Sequence, residues 1–347
     1  MSGRRGAPRP LSIAEALDRV RGELGLGLGD HALPPPLLVV DVAGAEADLL
    51  DLDARASNLP CVLVGVADQP GWAPRAFDVL LCTASEPPTP WVGVAELDAA
   101  VTAIAEMVAR SPLASVALVE LLRLSEALSV HQAVVAESFV YSTLQAGPEF
   151  QAWLACREAF VHRDQQDDPV RLDRHGPVLE IELNRPAVRN ALDGAMRDNL
   201  VSAFRMVEAD PTIERVRLCA VGPDFCSGGD LSEFGTAPDP ATAHLVRVSR
   251  SVGLALSRCA NRVQVEVHGA CVGAGIEIPA FAGRIVATPE ATFTLPEVGF
   301  GLIPGAGGTA SLPRRIGRHR TAFLALSGAT IAAPTARGWG LVDDVVG

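Results

Sequence analysis

The chain is 347 residues long, 48% hydrophobic and only 5% aromatic, the makeup of a well-cored globular protein and not of a disordered one. Its formal net charge of −12, with a pI near 5.1, repels a polyanion over most of the surface and argues against nucleic-acid binding as a main role. All 29 basic residues are arginines, so any phosphate or carboxylate must be met by guanidinium or backbone N–H groups.

Residues 1–36 read as an Arg/Pro-rich tail and a short helix, "SIAEALDRVRGELG", closed by "HALPPP". No apolar core follows the N-terminal arginines, and no run approaches the ~18 residues of a membrane span. The seven cysteines make no CxxC pair and no metal-like spacing with the histidines. The expectation is a cytoplasmic, reducing setting with no membrane contact and no metal.

Residues 37–165 begin with a βαβ rhythm: "LLVVDVAG" and "CVLVGVAD" are short β-branched runs separated by the helical pattern "AEADLLDLDARAS". From Glu96 to about Phe160 the pattern is helical, with breaks at Pro112 and at Gly147-Pro148. The polar stretch "VHRDQQDDPVRLDRHG" reads as a linker, with the main boundary near residue 168. Residues 169–347 then alternate strands ("VLEIELNRP", "VRLCAVGP", "VQVEVHG") with helices ("GAMRDNLVSAFRMVEAD", "TAHLVRVSRSVGLALSRC"), which implies a layered α/β domain.

Two glycine-rich stretches, "GACVGAGIEI" and "GAGGTASLP", look like phosphate cradles. A P-loop needs a lysine and there is none, and the dinucleotide pattern fails where Ile278 stands in place of glycine. A different chemistry suits them better. The turn in "FCSGGDLSEF" (225–234) and the "GAG" of 273–275, which opens the predicted helix "AGIEIPAFAG", each leave backbone N–H groups unpaired. Two such donors from two loops are the ingredients of an oxyanion hole. Glu277 and Glu297 sit twenty residues apart in apolar, glycine-rich surroundings. Each reads either as an exposed structural residue or as an acid/base group tuned by a dry pocket.

The ordered motifs "LNRPAVRNAL" (183–192), "FCSGGDLSEF", "VHGACVGAGIEIPAFAGRIVAT" (267–288), "LPEVGFGLIPGAGGTASLPRRIG" (295–317) and "GWGLVDDVV" (338–346) resemble the enoyl-CoA hydratase/isomerase (crotonase) superfamily over nearly all of residues 170–347. The resemblance implies a ClpP/crotonase spiral of ββα units. It implies oxyanion-hole N–H groups at Gly229 and Ala274, with Glu277 and Glu297 as the acid/base pair that adds water to a 2-enoyl-CoA thioester. It also implies contacts to coenzyme A through Arg185, Arg189, Ala191 and Asp230, no cofactor beyond the thioester itself, and a homo-oligomer, trimer or hexamer. Alternatives within the superfamily are a Δ3,Δ2-enoyl-CoA isomerase, a thioester hydrolase, a carbon–carbon lyase or a cofactor-free oxygenase. The alternative outside catalysis is an acyl-CoA-binding or assembly subunit.

The chain departs from the family pattern at Gly283, where an aspartate is usual, at Ala270-Cys271, and at His268, which reads as a structural residue more than a base. Arg314, Arg315, Arg318 and Arg320 read as a solvated helix face. Crotonase chains continue past "GLVDDVV" into covering helices, and this sequence stops there. The segments "ELDAAVTAIAEMVARSPLASVALVELLR" and "AESFVYSTLQAGPEFQAWLA" resemble those helices. Residues 37–165 are thus expected to be a degenerate crotonase-like α/β region whose helices, residues 96–160, supply the covering layer.

Overall fold

The computed structural model describes residues 7–23, 35–43, 46–57, 59–157 and 168–347. The first residues of the predicted tail, most of "HALPPP" and the first half of the predicted linker lie outside the described residues.

Helix α1 (Ile13–Glu23) precedes strand β1 (Leu37–Asp41), helix α2 (Glu46–Ala56) and strands β2 (Val62–Val66), β3 (Val79–Cys82) and β4 (Val92–Gly93). The strands form one all-parallel sheet in the order β1-β2-β3-β4. A parallel sheet covered on both faces needs strands that are apolar throughout, which is why these runs show no alternation. Leu38, Val40, Leu63 and Leu80 point into a core shared with α1 and α2. Val39, Val64, Val79 and Leu81 point the other way, into the main core.

Four helices follow: α3 (Leu97–Arg110), α4 (Pro112–Ser125), α5 (Val130–Gln145) and α6 (Pro148–Cys156). Pro112 and Pro148 stand at the first positions of α4 and α6, as expected of a residue without an N–H. A further break separates α4 from α5. There Ser129 and Gln132 form a reciprocal capping box that the sequence pattern had merged into one long helix.

The second half of the predicted linker is a strand. β5 (Val170–His175) pairs antiparallel with β6 (Val178–Leu183). Only Val170 of β5 is buried, so this edge strand carries no apolar alternation to betray it. Helix α7 (Gly194–Ala209), strand β7 (Arg215–Ala220) and helices α8 (Pro240–Ser249) and α9 (Val252–Ser257) come next. The chain continues through β8 (Val263–Val267), β9 (Ala270–Val272), α10 (Ala274–Glu277), β10 (Arg284–Ala287), β11 (Thr292–Thr294), α11 (Gly308–Ser327), β12 (Ile331–Ala332), α12 (Ala333–Trp339) and β13 (Asp344–Val345).

The larger sheet runs β13-β10-β8-β7-β6-β5, and the smaller runs β12-β11-β9. β8 and β10 belong to the larger sheet while their immediate successors β9 and β11 belong to the smaller, so each ββ unit turns a corner. Gly269 makes the first corner at φ +56, where a Cβ would collide with the Pro223 carbonyl. This is the spiral expected of the C-terminal half.

Helix α11, bent at Gly317, is the seam between the halves. α3, α4 and α5 pack against it, and α5 also packs on α8, so the helical layer covers the core of its own chain. Of the α11 arginines only Arg314 is exposed, so they do not form a solvated face as a group. Arg318 and Arg320 are buried: Arg318 reaches the Arg75 and Phe77 carbonyls, and Arg320 reaches the Pro87 and Trp91 carbonyls. Arg315 bonds the Ala280 and Ala282 carbonyls, and Arg314 the Leu128 carbonyl. The physical reason is that the N-terminal half supplies the cover that a lone core domain would lack.

Asp78, buried between β2 and β3, accepts two bonds from Arg123 of α4 at 2.9 and 2.6 Å and one from Leu63 N–H at 2.8 Å. Arg318 approaches the same carboxylate at 3.6 Å. Removing one partner of a buried pair leaves an uncompensated charge, at a cost of about 3–5 kcal/mol. Arg123→Met is therefore expected to lower Tm by roughly 4–7 °C in a thermal melt. A change under about 1 °C would show that the clamp carries no stability.

Candidate active site

The segment Gly273–Glu277 and the loop Phe225–Asp230 run side by side. Cys226 and Cys271 form an isolated parallel bridge, and Val272 N–H donates to the Cys226 carbonyl at 2.9 Å. A Cβ on Gly275 would collide with that same carbonyl, so only glycine lets the two backbones approach so closely. Gly229 and Ala274 each lie three residues beyond the bridge along parallel chains. Among the described residues neither N–H has an acceptor. The helix after Ala274 is shorter than the sequence suggests: α10 is one turn, because Pro279 has no N–H to continue it and a 3-10 turn, Pro279–Phe281, follows. Its dipole is correspondingly small, and the donor is a plain unpaired N–H.

Glu277 closes α10 and is 2% exposed; Glu297 opens a 3-10 turn after β11 and is 9% exposed. Gly273, at φ +50, stands between them, and a Cβ there would collide with Glu297 Oε1 and meet Glu277 Oε1 at 3.7 Å. The structure thus brings together the two glutamates that the sequence singles out. Their partners differ. Glu277 Oε2 accepts from Ala306 N–H at 2.8 Å and Gly308 N–H at 2.9 Å. Glu297 Oε2 is buried with no partner.

A third carboxylate, missed by the sequence reading, shares the turn that holds Glu277. Glu137 of α5, 1% exposed, accepts from Gly307 N–H at 2.7 Å, from Thr309 N–H at 2.8 Å and from the Thr309 hydroxyl at 2.7 Å. Alternate N–H groups of residues 306–309 therefore go to carboxylates from opposite halves of the chain. The signal was present in α5, where Ala133, Val134, Glu137, Tyr141 and Leu144 recur at helical spacing on the buried face. A glutamate at a core position of that stripe marks a buried polar contact. Tyr141 from the same face packs over Gly305, where a Cβ would strike its ring.

Burial raises the pKa of all three glutamates above the ordinary carboxylate value. For Glu277 the charges of Glu297 and Glu137 add to burial, against the opposing pull of the Ala306 and Gly308 N–H groups. For Glu297 burial dominates, with Glu137 adding to it. For Glu137 burial outweighs the Thr309 and Gly307 donors and the more distant Arg247. Carboxylates so placed hold a proton at pH values where a free glutamate is ionised, which suits them to proton transfer.

The residues expected to meet coenzyme A divide in two. Arg185 is buried and committed to Asp193 at 3.0 Å, Asp230 at 3.2 Å and the Ala191 carbonyl. Its guanidinium braces the loop. Asn190, also fully buried, does the same by accepting from Arg185 N–H and donating to the Val221 and Asp224 carbonyls. Arg189 is exposed, at φ 52, with a loose contact to Asp224 at 3.5 Å. His268 bonds the Gly222 carbonyl at 2.9 Å, the structural role expected of it. Gly283 faces the Ala260–Asn261 backbone, and Cys271 is fully buried.

With this geometry in hand, comparison with known proteins is decisive for the class. The enoyl-CoA hydratase/isomerase family model matches residues 173–347, and the chain belongs to that family. It is 35% identical over 181 residues to a mevalonyl-coenzyme A hydratase of Beauveria bassiana, covering 49% of this chain and 63% of that one. It is 34% identical over 174 residues to the 2,3-dehydroadipyl-CoA hydratase of Escherichia coli, covering 50% and 68%. Among solved structures, an enoyl-CoA hydratase of Mycobacterium smegmatis aligns at 33% identity and a TM-score of 0.48, over 52% of this chain and 70% of its own. The chain thus spans about 63% of the length of the fungal relative.

The buried pair has a stability signature. Because the folded chain holds the Glu297 proton to higher pH than the unfolded chain, stability falls as pH climbs from the free value of about 4.3 through the raised one. Glu297→Gln, neutral at every pH, is expected to gain several degrees in Tm over wild type at pH 8 and almost none at pH 4. An equal shift at both would contradict an ionisable, strained carboxylate.

Proposed function

We propose that the protein adds water across the double bond of a 2-enoyl-CoA thioester. The observation that carries this reading is the pair Glu277 and Glu297 on either side of Gly273, one anchored by two N–H groups and the other with a buried oxygen free of any partner. Hydration needs one carboxylate to take a proton as water attacks C3 and a second to deliver a proton to C2, while the thioester oxygen carries the developing charge. The Gly229 and Ala274 N–H groups, both without acceptors, are the donors assigned to that oxygen. Two carboxylates and two N–H groups supply every proton and charge the reaction moves, so the thioester needs no further cofactor.

Coenzyme A meets the 185–192 loop in this reading. Arg189 is free to approach a phosphate, while Arg185, Ala191 and Asp230 keep the loop in shape behind it. Helices α3–α6 act as the layer that closes the site, with Glu137 and Tyr141 as their contribution. A homo-oligomer, trimer or hexamer, in the cytoplasm completes the reading; the cysteines, six of the seven buried and none in a disulfide, are compatible with a reducing compartment. A purely acyl-CoA-binding role is disfavoured because buried carboxylates held close together are costly and a binder has no use for them.

The test is turnover of a panel of 2-enoyl-CoA thioesters in isotopic water. Glu277→Gln and Glu297→Gln are each expected to lower kcat by about 10²–10⁴-fold. Loss of hydration in one variant with proton exchange retained would point to an isomerase. Binding without turnover of any thioester by the wild type would overturn the enzymatic reading.

A further inference from the structure

A cavity of about 350 Å³ opens between α5, α8 and the Gly305–Gly307 turn. Leu192 and Ile278 form part of its wall, and both also border a small apolar cavity beside Ala274. Leu192 is bonded on both sides of Gly229, donating to the Gly228 carbonyl at 2.8 Å and accepting from Asp230 N–H at 2.9 Å. The cavity therefore begins where the hydratase reading places the thioester, and it is the space open to the far end of the acyl group.

The wall of that space is cationic. Arg247 of α8 lines the cavity, its guanidinium 4.2 Å from the Tyr141 ring centroid. Its partners are neutral: the Ser138 carbonyl and hydroxyl at 3.2 and 3.0 Å, the Ser142 hydroxyl at 3.2 Å and Gln145 Oε1 at 2.8 Å. Among the described residues no carboxylate lies within ion-pair distance of it. Arg197 and Arg250, also in the wall, share the single carboxylate of Asp198 at 2.9 and 2.6 Å. The two glutamates of the wall make their hydrogen bonds elsewhere, and Glu137 acts on Arg247 only through space. Glu137 is saturated by three donors of the 307–309 turn, and both oxygens of Glu233 accept from Gly194 N–H at 3.0 Å. A guanidinium held in place by neutral acceptors, partly out of water and with no carboxylate in contact, can take one from a ligand, and its planar fork matches that group.

We infer that the acyl group of the substrate ends in a carboxylate, received by Arg247 in the wall of the cavity, so that the protein acts on the 2-enoyl thioester of a dicarboxylic acid. The inference rests on the hydratase reading only for the position of the thioester.

The test separates the two. Calorimetry measures the binding of saturated CoA thioesters of four to eight carbons, in pairs of equal length that end in methyl or in carboxylate. At one length the carboxylate-ended member binds at least tenfold tighter to wild type, Arg247→Met collapses that ratio to one or below, and Arg247→Lys keeps most of it. Equal or weaker binding of the carboxylate-ended member at every length overturns the inference, as does a ratio untouched by Arg247→Met. Should Arg247→Met fail to fold, the wild-type ratio decides alone. The matching 2-enoyl thioesters are then assayed for hydration. Turnover of methyl-ended forms without a carboxylate preference in binding leaves the hydratase reading standing and the inference refuted. A carboxylate preference in binding without turnover of any thioester leaves the pocket standing and the hydratase reading refuted.

Discussion

Four consecutive backbone N–H groups, from Ala306 to Thr309, hold two buried carboxylates at once, and the rest of the site depends on that arrangement. Glu277 takes the first and third, and Glu137 the second and fourth. Glycine at 307 and 308 makes the turn possible: Gly307 sits at φ +106, and a Cβ on Gly308 would press into Glu277. Placing three glutamates in an interior this dry is unfavourable, and each unit of pKa elevation costs about 1.4 kcal/mol when the group must ionise. The donors of the turn offset part of that cost, and what remains is the displaced acidity that proton transfer requires.

The turn also explains why the two halves of the chain behave as one body. Glu137 comes from α5, and Glu277 from the core, so the site has its walls on both sides of the seam at α11. Burying a glutamate against a distant turn is tolerable only if the helix carrying it is held in register. Arg318 and Arg320, midway along α11, do this by guanidinium contacts to carbonyls of the loops that flank β3 and precede β4, and Arg123 of α4 ties Asp78 into the same region. Function and interdomain packing are thus linked through one bent helix.

Much of this was legible in the sequence. The spacing of Glu277 and Glu297, the glycine turns at 228–229 and 273–275 and the alternation of β6 and β8 all report local geometry, and local geometry survives folding. What was not legible was long-range. Arg314 to Arg320 look like a wet helix face because nothing within the helix says that a second sheet lies over it. Val170–His175 reads as linker because an edge strand needs no apolar face. Glu137 stood in plain view at a core position of an apolar stripe, but its partners are about 170 residues away, and Arg185 looked like a ligand-binding cation because its two carboxylate partners follow it in the chain without any sequence mark of contact.

The central claim is that a carboxylate from the N-terminal helices sets the ionisation of Glu277 and Glu297, the pair proposed as catalytic. It is tested most directly by the pH profile of kcat/KM for Glu137→Gln against wild type, with 2-enoyl-CoA as substrate. The groups that face Glu137 are Glu277, Glu297, Tyr141 and Arg247. Removing a negative charge beside Glu277 and Glu297 makes both easier to ionise, so the account predicts that both limbs of the profile move toward lower pH. A lower rate with both limbs unmoved would assign Glu137 to packing alone and contradict the account.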